Sequence, residues 1–180
     1  QWLSENAAKI GGDPTRLALG GDSAGGYFAA VLSQFNREKP MFDCTYQVLI
    51  YPCLDATMSL PSMESCGEGY GFTTEKMAWY WNHYLPADID RTRFDVSPLL
   101  TDDFSDLPPA FIATAEYDPL RDDGEAYARG LEDAGVPVKL KRYRGMIHGF
   151  MQMAQAIDKG QTLIDEVGSV LRYVMFTEEV

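Results

Sequence analysis

The chain has 180 residues, enough for one domain with a buried core. Hydrophobic residues make up 46% and charged residues 23%, which excludes a disordered chain, and no apolar run approaches the roughly 18 residues of a membrane helix, so no span is expected. A formal charge of −12, with no basic cluster beyond the short stretch 139–144, argues against a nucleic-acid partner, because phosphate binding needs a basic footprint.

In chain order, Gln1-Trp2-Leu3 reads as helix interior rather than a natural start, and no basic and apolar leader opens the chain. Residues 2–10 read as the end of a helix, stopped by Gly11-Gly12 and turned by Asp13-Pro14. Residues 17–20 form a short apolar run, predicting a strand buried on both faces. The next helix is predicted over 24–37, with Ala24, Tyr27, Phe28, Val31, Leu32 and Phe35 on its apolar face. Residues 46–51 read as a second strand, closed by Pro52, and 52–73 as a long connection without periodicity. A helix rich in aromatic residues follows over 74–84, then a buried strand over 110–115 and a helix over 120–134 that stops at Gly135. Residues 138–143 alternate apolar side chains with Lys139 and Lys141, as expected of an edge strand whose lysines discourage pairing. The last helix is predicted over 161–176, with Leu163, Val167, Val170, Leu171 and Val174 on one stripe. Strand–helix alternation of this kind implies an α/β fold, a mostly parallel sheet with helices on both faces.

Three cysteines, Cys44, Cys53 and Cys66, have no CxxC spacing and no nearby histidine. An odd number without metal spacing predicts free thiols in a reducing compartment, hence the cytoplasm, and no metal site. Nothing in the composition calls for a cofactor.

Chemistry concentrates where the first strand runs into Gly21-Asp22-Ser23-Ala24-Gly25-Gly26. A G-x-S-x-G between strand and helix is a nucleophile elbow. The turn leaves no room for a Cβ at either flanking glycine, and it strains the serine backbone. The Ser23 hydroxyl is thereby lifted above the sheet at a helix N-terminus, where partial positive charge and N–H groups favour a developing oxyanion. A serine of ordinary acidity needs a base, and the base needs an orienting group. Of the two histidines, His83 lies within the aromatic helix and reads as a surface or core-edge side chain. His148 lies between Gly145 and Gly149 just after the last strand, where open α/β sheets place their sites. For the acid, Asp55 and Asp118 both lie just past strand C-termini; the order Ser…Asp…His favours Asp118 and leaves Asp55 a candidate. Asp118-Pro119 ahead of a helix also fits an N-cap with Pro at the first helical position, and one carboxyl is not expected to serve easily as both cap and orienting acid. Trp79, Trp81 and Phe150 are candidates for a pocket wall or for ordinary core.

Gly20-Gly21-Asp22-Ser23-Ala24-Gly25-Gly26, Glu116-Tyr117-Asp118-Pro119-Leu120-Arg121-Asp122 and His148-Gly149-Phe150 together resemble the hormone-sensitive-lipase-like family of esterases. Asp13-Pro14-Thr15-Arg16-Leu17 and Val96-Ser97-Pro98-Leu99 agree with it, so the resemblance covers nearly the whole chain. It implies an α/β-hydrolase fold with Ser23 as nucleophile, His148 as general base and then acid, and Asp118 as the orienting carboxyl. The Ala24 backbone N–H becomes an oxyanion donor, and Asp55 a structural or pocket-edge residue. The family's His-Gly-Gly-Gly stretch, which supplies further oxyanion donors, does not precede Gly21, nor do a cap region and the first half of the sheet. Residues 1–180 are therefore expected to be a single, partial catalytic domain, the C-terminal half of the fold. Its expected partners are a small-molecule ester, the N-terminal half of the same enzyme and, compatibly, a second copy of itself. The expected activity is hydrolysis of small carboxylic esters through an acyl-enzyme. The alternatives are a serine peptidase of the prolyl-oligopeptidase type and a hydrolase-fold binding protein without turnover.

Overall fold

In the computed structural model, which describes residues 2–176, four parallel strands pair in chain order. They are β1 (Leu17–Asp22), β2 (Cys44–Ile50), β3 (Ala110–Tyr117) and β4 (Val138–Ile147). Gln1, read with Trp2 and Leu3 as helix interior, lies outside the described residues. The helices are α1 (Trp2–Asn6), α2 (Ala24–Glu38), α3 (Ser62–Ser65), α4 (Thr74–Tyr84), α5 (Arg121–Asp133) and α6 (Asp158–Phe176).

Period-two alternation along the central strands sorts the core into two layers. Leu49 of β2 and Ala110 and Ile112 of β3 pack under Ala29 and Ala30 of α2 and Tyr127, Ala128 and Leu131 of α5. Val48, Ile50, Phe111, Ala113 and Ala115 point to the opposite face and meet Leu163 of α6. Both central strands are thus apolar on both sides, as parallel sheets covered by helices require. A third cluster, with Met77 and Trp81 of α4 against Tyr27 and Val31 of α2, closes the end of the sheet where the strands stop. Among the described residues no helix is long and apolar enough to cross a membrane.

Three expectations need correction. The α2 stripe is misassigned: Tyr27 and Val31 are buried, but Phe28 is 47% exposed, Leu32 41% and Phe35 38%. The helix turns its small residues, Ala29 and Ala30, to the sheet, where short side chains permit close approach, and Phe28, Leu32 and Phe35 turn away from it. Next, β1 is only half-buried, because among the described residues it pairs with β2 alone. Lastly, the lysines of β4 do not simply guard an edge. Lys139 lies over the Phe111 ring, 5.6 Å from its centroid, and Lys141 pairs with Glu166 of α6, so their stems cover the sheet face beneath that helix.

The β1–α2 turn is set by steric exclusion. A Cβ on Gly21 would lie 2.3 Å from the Gly25 carbonyl carbon, and one on Gly26 would lie 2.8 Å from Pro52 Cβ. A Cβ on Gly25 meets nothing within 4 Å, so the expectation that neither flanking glycine has room for a Cβ holds for Gly21 and fails for Gly25. Gly21→Ala is accordingly expected to destabilise by about 3 kcal/mol, whereas Gly25→Ala costs less than about 1 kcal/mol. Urea unfolding of the two variants distinguishes them; equal losses would contradict this account.

Candidate active site

β1 ends at Asp22, and the next residue, Ser23, takes a left-handed backbone at φ 54° and ψ −116° before α2 begins. A side chain at that φ costs free energy that the surroundings must hold in place. Here the Ser23 N–H donates to the Ile50 carbonyl at 2.8 Å, and the Ser23 carbonyl accepts the Tyr27 N–H at 3.1 Å. Sheet and helix therefore grip the same residue from both sides.

Asp118 sits just past the end of β3 and His148 just past the end of β4. His148 Nδ1 lies 2.8 Å from Asp118 Oδ2, and Nε2 lies 3.0 Å from Ser23 Oγ. With the Nδ1–H donating to the Asp118 carboxyl, Nε2 is left as the acceptor for the serine hydroxyl. Asp118 is wholly buried and the His148 side chain is 12% exposed, so the contact between them is shielded from bulk water. The structure thus brings together the three side chains singled out in the sequence. His83 instead contacts the Trp79 carbonyl on the exposed side of α4.

Asp118 overturns one expectation. Its second oxygen, Oδ1, accepts the Leu120 N–H at 2.9 Å, so one carboxyl both turns the chain towards α5 and meets His148. It can do so because each task uses a different oxygen. Pro119 is not the first helical residue either, since α5 starts at Arg121 with Leu120 as its N-cap.

Asp55 is committed elsewhere. Its Oδ1 accepts the Thr57 N–H and hydroxyl, and its Oδ2 accepts those of Ser59. Burial opposes its charge, but these four donors outweigh that and hold its carboxyl below the usual range. Asp123 shows the opposite balance. Burial, with Asp55 and Asp118 adding, pushes its carboxyl well above the usual range against the Leu54 and Asp55 N–H groups bonded to Oδ2.

Ser23, Ala24 and His148 open onto one cavity of about 480 Å³, walled by aromatic side chains that include Phe28, Phe72 and Trp81. Of the proposed wall residues Trp81 belongs there, whereas Trp79 is exposed and packs on His83, and Phe150 lies in the core beneath α6. Ala24 is the first residue of α2, where the helix dipole and N–H groups suit an anion. Three contributors were not anticipated. Phe72 stacks on the His148 ring at 4.5 Å, Tyr51 meets that ring at 4.8 Å, and Gln152 Nε2 donates to Asp22 Oδ2 at 2.9 Å. Among the described residues no group of three or more His, Cys, Asp or Glu side chains is arranged to hold a metal ion, and the three cysteines are free.

A profile of the alpha/beta hydrolase fold matches residues 1–152. The chain belongs to the α/β-hydrolase family. Within it, the resemblance to the hormone-sensitive-lipase-like esterases holds. An ethyl acetate hydrolase of Pseudomonas putida is 39% identical over 92% of this chain and 54% of its own length. Carboxylesterase NlhH of Mycobacterium tuberculosis is 40% identical over 87% of this chain and 50% of its own. Among solved structures, the thermostable carboxylesterase EstE1 from a metagenomic library is 37% identical with a TM-score of 0.93, over 98% of this chain and 60% of that one. This α/β-hydrolase chain thus spans about half the length of the curated relatives it matches.

The saturated Asp55 turn yields a prediction about stability. Asp55→Asn turns an amide donor towards donors that a carboxylate satisfied and should cost about 1–3 kcal/mol near neutral pH. Folding lowers this carboxyl's pKa, so its contribution is present above the unfolded value of about 4 and fades as pH falls through the folded one. Urea midpoints of wild type and variant should therefore converge in acid; a constant offset from pH 7 to pH 3 would contradict the assignment.

Proposed function

We propose that this chain is the triad-bearing, C-terminal half of a carboxylic ester hydrolase acting on small acyl esters. The observation that carries the reading is the unbroken relay from Asp118 through His148 to Ser23, at a strained elbow facing an apolar cavity. The activities for which the relatives are named, ethyl acetate hydrolase and carboxylesterase, support the same substrate class.

The chemistry follows from the geometry. His148 Nε2 takes the Ser23 proton as Oγ attacks the ester carbonyl carbon. Asp118 holds the imidazole in the tautomer that leaves Nε2 free and balances the imidazolium that forms. Negative charge on the former carbonyl oxygen is met by the Ala24 N–H at the start of α2. When the tetrahedral species collapses, Nε2 returns the proton to the departing alcohol, leaving an acyl group on Ser23. Water then repeats the sequence: it gives a proton to Nε2, attacks the acyl carbon, releases the acid and restores the serine.

Further oxyanion donors are assigned to the other half of the enzyme, together with the strands that cover the free edge of β1. Losing one such donor costs on the order of 10² to 10³ in turnover, so the triad alone makes a weak catalyst.

In the intact protein, Ser23→Ala is expected to remove at least about three orders of magnitude of p-nitrophenyl acetate hydrolysis with unchanged far-UV circular dichroism. Asp118→Asn should also lower turnover steeply, while Asp55→Asn changes it less than about tenfold. Near-normal turnover of Ser23→Ala would end the serine-esterase reading, and a crippled Asp55→Asn enzyme would reassign the acid.

A second prediction concerns the chain by itself. With the outer edge of β1 unpaired among the described residues and Phe28, Leu32 and Phe35 partly exposed, residues 1–180 alone should be aggregated or molten and poorly active. Size-exclusion chromatography with an ester assay, with and without a co-expressed N-terminal half, tests this. A monodisperse, fully active monomer would refute it.

A further inference from the structure

We propose that Phe72 is a positioning residue that holds the His148 imidazole by its face, in the plane that joins Asp118 to Ser23. The inference rests on the reading of Ser23, Asp118 and His148 as the reacting relay.

The imidazole has two in-plane contacts, at Nδ1 and Nε2. Two contacts on the edge of a ring fix its position but act as hinge points, about which the ring can still rock. Rocking bends both hydrogen bonds out of line, and such bonds weaken steeply with angle. Only a contact on the ring face resists that motion. Phe72 supplies one, with its ring centroid 4.5 Å from that of His148 and its plane within 24° of parallel. Tyr51 braces the same imidazole at 4.8 Å with a 58° tilt, and its own backbone is held at a positive φ of 35° at the end of β2. The imidazolium formed as Ser23 loses its proton also lies against the Phe72 π-face, which attracts cations.

Phe72 is in turn well held. Gly71 turns the chain into it with a φ of 87°. Thr73 is the N-cap of α4, its side chain accepting the Lys76 N–H at 3.1 Å. Phe72 therefore occupies the position before the cap, and Met77 the fourth helical position, the arrangement of a hydrophobic staple. Phe72 packs against the cluster that contains Met77 and Trp81, and its ring runs nearly parallel to Tyr80 at 6.4 Å. The start of α4 thus carries its anchoring to the catalytic imidazole through a single ring.

The test separates the ring face from the volume it fills. Phe72→Leu keeps an apolar side chain in the cavity wall and in the staple but removes the flat face; Phe72→Tyr keeps both. In the intact protein, Phe72→Leu should lower kcat for p-nitrophenyl acetate about tenfold with KM changed less than about twofold, and Phe72→Tyr should stay within about twofold of wild type in both. Unimpaired kcat in Phe72→Leu, a change confined to KM, or equal losses in the Leu and Tyr variants would overturn the proposal. If Phe72→Leu does not fold, Phe72→Met provides the same comparison. Labelling of the wild-type enzyme by a fluorophosphonate probe guards the underlying reading. Absence of label on Ser23 overturns the serine mechanism itself, whereas labelled wild type with an unimpaired Phe72→Leu overturns only the role of Phe72.

Discussion

Ser23 keeps a left-handed backbone that a side chain ordinarily avoids, and the approach of Gly21 to Gly25 is what permits it. That approach lets β1 pass into α2 without a loop. The Ile50 carbonyl of β2 then captures the Ser23 N–H, and the first turn of α2 closes on the Ser23 carbonyl. Once the serine is fixed, the spacing of a parallel sheet does the rest. β3 and β4 end on the same side as β1, so Asp118, just past the end of β3, comes within hydrogen-bond reach of His148, and His148, just past the end of β4, within reach of Ser23. The geometry of the relay is in this sense a property of strand direction more than of any loop.

The parts of the site most legible in the sequence are those whose geometry is local. An elbow needs glycines at short fixed spacing, and that spacing is visible without any knowledge of the fold. His148 stands out because only two histidines exist and one is bracketed by glycines after a strand. Asp118 is harder, because its two oxygens serve a local turn and a distant ring together, and only the local task can be seen in the residues around it. Phe72 lies further from reach. Its place before a threonine cap and a methionine can be read, but its contact with a histidine 76 residues later depends on how α4 docks.

The fold is legible on the same terms. The strands and their parallel pairing follow from short apolar runs alternating with helical patterns, whereas their order in the sheet is seen only in the structure. The buried face of α2 does not, because counting large apolar residues assumes that the largest point inward. A helix lying close against a sheet selects for small residues instead, so Ala29 and Ala30 face in while Phe28 and Phe35 face out. The half-exposure of β1 has a similar cause, since an apolar run reports what a strand can bury and not what is present to bury it.

The relay is assembled from the ends of three strands, β1, β3 and β4, and spans residues 23–148 of the chain. During synthesis, the segment bearing Ser23 leaves the ribosome long before His148 exists. Until β4 docks, that serine is an ordinary alcohol with no base to take its proton. On the proposed mechanism, a growing chain therefore holds no working relay until the sheet is built as far as β4.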